Sequence, residues 1–380
     1  MKAIFNGKII TEQEILTDHT VIFDETIIAI LPDTELSQYE CSEKFDAEGR
    51  YVSPGFIDLH VHGCSGFDTM DNEENALEII RDSVLKTGVT AFLPTTMTMT
   101  LSKITQTLKR IRHAMGEMKG AEVLGCHLEG PFINEVYKGA QDQRHIIMLD
   151  FEKIQTYSDV IKIITLAPEI ATDDSFIRTC VEKGIVVSIG HSNATYEQMM
   201  SAISAGVSHM THTFNALPPL NHRQPGAIAA AMESDRVVCE LIVDNIHVHP
   251  AMQRLLLRNK GLDKMILITD AMRASMLGDG QYDLGGQLVT VSKNEARLAD
   301  GVIAGSVLSL NQAVKNFMNN TDLDLIDAIR LVTINPARQI GIANTKGSIK
   351  LGKHADFAIF DESLEIFATL VRGNLLYRRT

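Results

Sequence analysis

The sequence has few of the features that mark secreted, membrane-spanning or disulfide-bonded proteins. Its 380 residues include only five cysteines, an odd number without any Cys-x-x-Cys pair, which is typical of a reduced protein with buried thiols. No apolar run approaches the roughly 20 residues that a membrane-spanning helix needs. The opening MKAIFNGKII lacks the apolar core and the cleavage site of a signal peptide. We therefore expect a cytoplasmic protein with no membrane partner.

Basic residues are also fewer than acidic ones, with 35 Lys and Arg against 48 Asp and Glu, which gives a formal net charge of −13. Because a phosphate backbone is bound by a basic stripe, no nucleic-acid partner is expected. An anionic small substrate stays open, since a local cluster of donors can bind a phosphate inside a negative protein. The 45% hydrophobic and 22% charged residues are those of a globular chain.

Short apolar runs alternate with helical patterns through the middle of the chain. The eight runs are GFIDLH, TAFLPT, EVLGCHLE, KIITLAP, IVVSIGH, VSHMTH, VVCELIV and KMILITD. Apolar strands that alternate with helices indicate a parallel sheet buried on both faces. The pattern predicts an α/β fold with a (β/α)8 TIM-like barrel, whose third-to-fourth connection is the least regular. An open, doubly wound sheet is the alternative, although no Gly-x-Gly-x-x-Gly follows the first run.

The two ends of the chain differ from the middle, because β-branched runs punctuated by turn residues fill both of them. Neither end is long enough to bury a core alone. We predict that residues 1–53 and 347–380 form one small β domain, a β-sandwich, and that residues 54–346 form the barrel domain. The glycine-rich stretch 274–291 is expected to be a hairpin excursion beside the last barrel strand, either a plain surface feature or a lid.

Polar side chains recur where the predicted strands end. They are His60, His62, Glu129, His191, His212 and Asp270. The carboxyl ends of parallel barrel strands converge on one rim, so these side chains are expected to meet there. Imidazole nitrogens and carboxylate oxygens are ligands of divalent metals. Each residue alone could be a buried histidine or a helix cap, but six at the same end of successive strands favour a metal enzyme.

Longer motifs carry a resemblance to a known family. PGFIDLHVHG, the strand-end histidines, the aspartate after the eighth run and the late GSIKLGKHADF resemble the amidohydrolase superfamily. Within it, HLEGPF, GHSNA, THTFNALPPLNHRQPG, DNIHVHP, LITDAM and AGSVLSL resemble the N-acetylglucosamine-6-phosphate deacetylase family. The resemblance runs from residue 54 to beyond residue 350. In many related amidohydrolases a carboxylated lysine on the fourth strand bridges two metals. Here the fourth run, KIITLAP, ends without a usable lysine, whereas the deacetylase-like Glu129 is present.

This resemblance implies hydrolysis of the N-acetyl group of N-acetylglucosamine 6-phosphate. A divalent transition metal, zinc or iron(II), would be held by Glu129, His191 and His212 and would activate a water molecule. Asp270 would act as general base and then as general acid. Retention of both histidines of the first run implies one or two ions per subunit. No Gly-x-Ser-x-Gly motif offers a competing serine nucleophile.

The resemblance also implies contacts to the sugar phosphate. Arg223 is assigned to the phosphate, which its guanidinium fork matches. The remaining contacts are Ala140, Gln141, Asn215, Ala216, His247 and Leu308. His247 would reach the active site of a neighbouring subunit, which implies a homodimer. Gln141 replaces a histidine that often contacts the sugar in this family, so the preference between sugar epimers is left open.

Two other functions remain as alternatives. One is another amidohydrolase, acting on a cyclic amide or an N-acyl amino acid, which would not need Arg223 or His247. The other is a non-catalytic scaffold on the same fold. Such a scaffold is expected to have lost metal ligands, whereas this chain retains all six.

Overall fold

The computed structural model describes residues 1–117 and 119–379. The chain begins with five strands, which are β1 (Lys2–Ile10), β2 (Ile15–Phe23), β3 (Ile27–Pro32), β4 (Glu43–Asp46) and β5 (Tyr51–Pro54). Strand β1 pairs antiparallel with β2 and parallel with both β4 and β5, and β2 pairs antiparallel with β3. The predicted strand character of the first fifty residues is confirmed.

All eight predicted apolar runs are strands of a TIM-barrel-like fold. The strands from the first run to the last are β6 (Phe56–Val61), β7 (Gly63–Cys64), β8 (Phe67–Asp68), β9 (Val89–Pro94), β10 (Glu122–Val123), β11 (Cys126–Glu129), β12 (Ile161–Leu166), β13 (Val186–Ile189), β14 (His209–Met210), β15 (Val238–Ile242) and β16 (Met265–Ile268). The β7–β8 pair is a small antiparallel hairpin outside the series. Nearly every residue of the other strands is buried, which explains their continuous apolar sequences.

Parallel pairing orders these strands as the chain does. One ladder runs β6–β9–β10 and the other runs β11–β12–β13–β14–β15–β16. A parallel bridge between Thr95 and His127 links the two ladders, and another between Val61 and Ala271 links the first strand to the segment after the last. The first and last strands are therefore neighbours, unlike the distant edges of the open-sheet alternative.

Six helices alternate with these strands. They are α1 (Ala76–Val84), α2 (Leu101–Ala114), α3 (Ser175–Glu182), α4 (Tyr196–Ala205), α5 (Gly226–Glu233) and α6 (Pro250–Lys260). Helix α4 begins with a capping box, in which the Thr195 side chain accepts from the Gln198 backbone and the Gln198 side chain accepts from the Thr195 backbone. Only short 3₁₀ turns lie between β11 and β12, so the third-to-fourth connection is the irregular one, as predicted.

The glycine-rich stretch leaves the barrel as a three-stranded antiparallel sheet, which extends the predicted hairpin by one strand. Its strands are β17 (Gly280–Leu284), β18 (Gln287–Ser292) and β19 (Glu295–Leu298). Three helices follow, which are α7 (Leu310–Asn320), α8 (Leu325–Arg330) and α9 (Ile334–Gln339). The Gln287 side chain donates a hydrogen bond to the Ala140 carbonyl, so the hairpin contacts the loop after β11.

The last three strands return to the first five. They are β20 (Phe357–Phe360), β21 (Ile366–Val371) and β22 (Asn374–Arg378). Strand β20 pairs antiparallel with β5, so both chain ends share one eight-stranded sheet. The rings of Phe23 and Phe357 meet edge to face at 5.2 Å in a hydrophobic cluster drawn from both ends. Among the described residues, no helix has both the length and the apolar character needed to cross a bilayer.

Candidate metal centre

Glu129, the last residue of β11, lies between two pairs of histidines. Its Oε1 atom is 3.2 Å from His191 Nε2 and 3.1 Å from His212 Nε2. Its Oε2 atom is 3.3 Å from His62 Nε2, and His60 Nε2 lies 3.5 Å from Oε1. Four of the other predicted ligands thus surround the Glu129 carboxylate at the carboxyl ends of the strands.

Asp270, two residues after β16, completes the cluster. Its Oδ1 atom lies 3.3 Å from His62 Nε2 and 3.6 Å from His60 Nε2. Asp270, His191 and His212 all have positive φ angles, of 49°, 49° and 30°. Such backbone conformations are uncommon outside glycine and are concentrated at functional sites. The chain turns at these three strand ends where the site residues lie.

The spacing of these atoms fits a divalent metal. Donors about 2.0–2.1 Å from a tetrahedral ion are separated from one another by about 3.3 Å, and the distances above span 3.1 to 3.6 Å. The Nε2 atoms of His191 and His212 face each other at 3.1 Å, an arrangement that a cation between two lone pairs explains. Two groups of ligand atoms share Glu129, and they are His60–His62–Glu129 and Glu129–His191–His212.

Glu240, in the middle of β15, contacts the candidate ligands and was not among the residues predicted from the sequence. Its buried carboxylate lies 3.1 Å from His60 Nδ1 through Oε2, which also accepts from the His212 backbone N–H at 3.1 Å. Its Oε1 atom lies 2.9 Å from His209 Nε2. A carboxylate behind a ligating histidine fixes the ring and its tautomer. The available signal was a glutamate inside the apolar run VVCELIV, where a charge needs a partner.

Hydrogen bonds also orient the His191 ring and engage both ring nitrogens of His127. His191 donates from Nδ1 to the Tyr137 carbonyl at 3.0 Å, which leaves Nε2 facing Glu129. His127 has both nitrogens engaged, with Nδ1 donating to the Leu59 carbonyl at 3.0 Å and Nε2 2.7 Å from Thr165 Oγ1. Burial lowers the pKa of His127 to about 3, so its imidazole is neutral. His127 is therefore a structural neighbour of the site and not a ligand.

The two carboxylates of the cluster create a negative potential that favours a positive charge between them. Burial by itself lowers the pKa of His60, but the Glu129 and Asp270 carboxylates outweigh burial and raise the pKa to about 9. Burial raises the pKa of Glu129, yet the four surrounding imidazoles, His60 foremost, hold it well below its ordinary value. Asp270 behaves in the same way, with burial opposed by His60 and His62 and a lowered pKa as the result. The carboxylates are anionic, as metal ligands must be.

A cavity of about 230 Å³ opens onto the cluster. Among the predicted substrate contacts, those that line it are Ala140, Gln141, Asn215, Ala216 and His247. Met97, Leu284 and Ile303 supply apolar wall, and Leu284 comes from the β17–β18 hairpin. The hairpin is thus part of the cavity wall, which is more than a plain surface excursion.

Three predicted contacts lie elsewhere than expected. His247, which the resemblance placed at a neighbouring active site, lines the cavity of its own chain, with Nδ1 2.6 Å from Asp244 Oδ2. The reason is that the turn after β15 brings it to the same rim as the metal cluster. Arg223 is exposed and Leu308 is buried beside the site, and neither lines this cavity.

Comparisons with known proteins agree with this geometry. Residues 51–376 match the model of the amidohydrolase family. The chain is 39% identical over 378 residues to N-acetylglucosamine-6-phosphate deacetylase of Bacillus subtilis (strain 168), which covers 97% of this chain and 95% of that protein.

Solved structures agree as well. The crystal structure of N-acetylglucosamine-6-phosphate deacetylase from Pasteurella multocida matches with a TM-score of 0.94 and 32% identity over 100% of both chains. A mutant of the Mycobacterium smegmatis deacetylase, in complex with N-acetyl-D-glucosamine-6-phosphate, matches with a TM-score of 0.90 and 27% identity over 99% of both chains. The resemblance in the motifs is confirmed, and the chain belongs to the amidohydrolase family.

Proposed function

We propose that the protein is a metal-dependent hydrolase that converts N-acetylglucosamine 6-phosphate into glucosamine 6-phosphate and acetate. The observation that carries the proposal is the buried cluster of four imidazoles and two carboxylates at the floor of a cavity. The named activity of the Bacillus subtilis and Pasteurella multocida relatives supports the substrate. So does the sugar phosphate bound in the Mycobacterium smegmatis structure.

The metal is proposed to be zinc or iron(II), with one or two ions per subunit. The two groups of ligand atoms that share Glu129 support the count of two. Imidazole and carboxylate ligands suit either metal. Such an ion, when bound, polarises the amide carbonyl and lowers the pKa of a water molecule toward neutrality.

Asp270 is the proposed general base and acid. Its carboxylate lies at the cavity wall, and the neighbouring imidazoles keep its pKa low enough for it to be anionic before the reaction. It accepts a proton from the attacking water as the new C–O bond forms. It then delivers that proton to the amine nitrogen as the C–N bond breaks. Water is the nucleophile, so no covalent intermediate with a protein side chain is needed.

The phosphate is proposed to bind at the His247 side of the cavity. Burial lowers the pKa of His247, but the adjacent Asp244 carboxylate outweighs burial and raises it, which favours the cationic form near an anion. Asn215 and Ala216 line the same cavity, and their backbone is proposed to contact the phosphate. Arg223 is exposed, and its guanidinium fork matches the oxygens of a phosphate.

We retain the homodimer as part of the proposal. In it, His247, which lies at the cavity wall of its own chain, is proposed to approach the neighbouring active site. Leu308, which is buried next to the Ser306 turn, is proposed to support the sugar pocket from behind.

The domain boundaries and the location are also proposals. Residues 1–53 and 347–380 would form the small β domain, folded as a sandwich, and residues 54–346 the barrel. Support comes from a hydrophobic cluster of residues 4–52 and 349–370 that is separate from the main core. A cytoplasmic location is supported by five free cysteines, four of them buried.

The deciding experiment measures acetate release by the metal-loaded protein. The substrates are N-acetylglucosamine 6-phosphate, its galactosamine epimer, unphosphorylated N-acetylglucosamine and an N-acetyl amino acid. We expect the phosphorylated sugars to be turned over with a far higher kcat/KM. Equal rates on the phosphorylated and unphosphorylated sugars would refute the proposed phosphate site. Preferential turnover of the N-acetyl amino acid would establish the alternative amidohydrolase function.

A further inference from the structure

Gln141 lines the cavity, but its side chain is held by two groups of the protein. The residue is 2% exposed. Its Oε1 atom accepts a hydrogen bond from the Thr98 backbone N–H at 2.7 Å. Its Nε2 atom donates to Glu129 Oε2, also at 2.7 Å. Both ends of the amide are therefore hydrogen-bonded to the protein, and the nitrogen end contacts the metal cluster.

These partners fix the orientation of the amide. A backbone N–H can only donate and an ionised carboxylate can only accept, so the oxygen must face Thr98 and the nitrogen must face Glu129. The Thr98 amide belongs to the segment after β9, whereas Glu129 ends β11. Gln141 thus connects the metal-binding carboxylate to the neighbouring strand end.

The contact also decides how Glu129 is presented to the histidines. Its Oε1 atom faces His191 and His212, while Oε2 lies between His62 Nε2 at 3.3 Å and Gln141 Nε2. Rotation of the carboxylate would exchange or misalign these two oxygens. A hydrogen bond from a buried donor to Oε2 opposes that rotation.

We propose that Gln141 is a positioning residue, which orients Glu129 for metal binding, and that it is not the sugar contact expected from its place in the sequence. The inference rests on the proposed metal-dependent function. It assigns to Gln141 an effect on metal affinity that is independent of any substrate.

Few other side chains can make both contacts. Asparagine is one methylene shorter and cannot span from Thr98 to Glu129 without movement of one of them. Glutamate would place a second carboxylate against Glu129, where like charges repel. Leucine has a similar shape but neither polar atom, so Gln141→Leu removes both hydrogen bonds while it keeps most of the packing.

The test measures metal affinity in the absence of substrate. Wild-type protein, Gln141→Leu and Gln141→Asn are stripped of metal and titrated with Co²⁺ against a chelator, and the visible spectrum of the bound cobalt is recorded. Gln143→Leu is the matched control, because Gln143 is an exposed glutamine two residues away. We expect both Gln141 variants to bind Co²⁺ about 10–100-fold more weakly, with an altered spectrum, and Gln143→Leu to match the wild type.

The opposite pattern would overturn the inference. If either folded Gln141 variant binds Co²⁺ with wild-type affinity and spectrum, Gln141 does not position Glu129. A raised KM for the sugar phosphate in that variant would assign Gln141 to the sugar instead. Circular dichroism identifies a misfolded leucine variant, in which case the asparagine variant decides. If wild-type protein itself binds no Co²⁺, the metal-dependent function fails, which is a distinguishable result.

Discussion

Oε2 of Glu240 lies 3.1 Å from Nδ1 of His60, and both side chains are completely buried in the barrel. The same oxygen accepts the backbone N–H of His212, so one carboxylate orients residues from both groups of metal ligands. Burial raises the pKa of Glu240, but the surrounding imidazoles, His60 foremost, hold it well below its usual range. This residue is therefore an anion that acts on the metal site without touching the cavity.

Glu240→Gln should weaken metal binding. The amide keeps the shape but loses the charge, and it can no longer accept from His60, His209 and the His212 backbone at once. We expect metal affinity to fall about 10–100-fold, measured by competition with a chelator. Glu182→Gln, at an exposed glutamate, is the control. Unchanged affinity in Glu240→Gln would show that the barrel geometry alone orients His60.

Asp270→Asn should abolish turnover while substrate binding persists. The amide cannot accept the proton that the proposed mechanism assigns to Asp270, and a positioned general base contributes about 10²–10⁴-fold. We expect kcat for acetate release to fall by at least that factor and KM to change little. Metal content is measured on the same samples, because Asp270 Oδ1 also faces His62. A rate within tenfold of wild type would refute the assignment of the base.

Removal of the metal should lower the thermal stability of the protein. The stripped site leaves two anionic carboxylates among four imidazoles, and a ligand that binds only the folded state stabilises it. At free metal 1,000-fold above Kd, the gain is about 4.1 kcal/mol. Calorimetric scans with chelator and with added zinc should therefore differ in Tm. An identical Tm in both conditions would contradict a metal site in the folded protein.

Glu122 should make stability sensitive to acid. Its Oε2 atom lies 2.7 Å from Lys346 Nζ, and Arg372 approaches its Oε1 at 3.3 Å. Burial raises the pKa of Glu122, but the charges of Lys346 and then Arg372 lower it by more, so the pKa in the folded protein lies below that in the unfolded chain. The contribution to stability is complete above the unfolded value, near 4.3, and is lost as the pH falls through the folded pKa.

Glu122→Gln should therefore be destabilised at pH 7, by about 1.5–3 kcal/mol for hydrogen bonds to charged groups, because Lys346 keeps Asp356 as a partner at 2.6 Å. The variant should lose less of its remaining stability in acid than wild type does. Urea unfolding at pH 7 and at pH 3.5 measures both effects. Glu14→Gln, at an exposed glutamate, serves as the control. An equal acid loss in Glu122→Gln and wild type would place the acid-sensitive group elsewhere.

Arg223→Ala should separate phosphorylated from unphosphorylated substrates. If its guanidinium binds the phosphate, kcat/KM for N-acetylglucosamine 6-phosphate should fall by at least tenfold, since a charge-assisted hydrogen bond contributes about 1.5–3 kcal/mol. The rate on unphosphorylated N-acetylglucosamine should not change. Arg236→Ala tests a second exposed arginine as the control. A parallel loss on both sugars would remove Arg223 from the phosphate site.

The order of elements and the metal ligands could be predicted from the sequence. Eight apolar runs specify the buried strands of the barrel, with the third run divided into β10 and β11, because a parallel sheet covered on both faces tolerates few polar residues. The six candidate ligands could be identified because each lies at or just after the end of such a run, where parallel strands present their carboxyl ends to a common rim. Sequence spacing is enough for these features, since they depend on neighbours along the chain.

Contacts between distant strands were decided only by the tertiary structure. Glu240 supports His60 across 180 positions, and Gln141 contacts Glu129 and Thr98 at once. His247 belongs to its own cavity because the turn after β15 folds toward it. Hydrogen bonds form between groups within about 3 Å, whatever their separation in sequence. The local pattern thus specified which residues meet at the candidate metal centre, and the packing of the barrel specified which residues hold them in place.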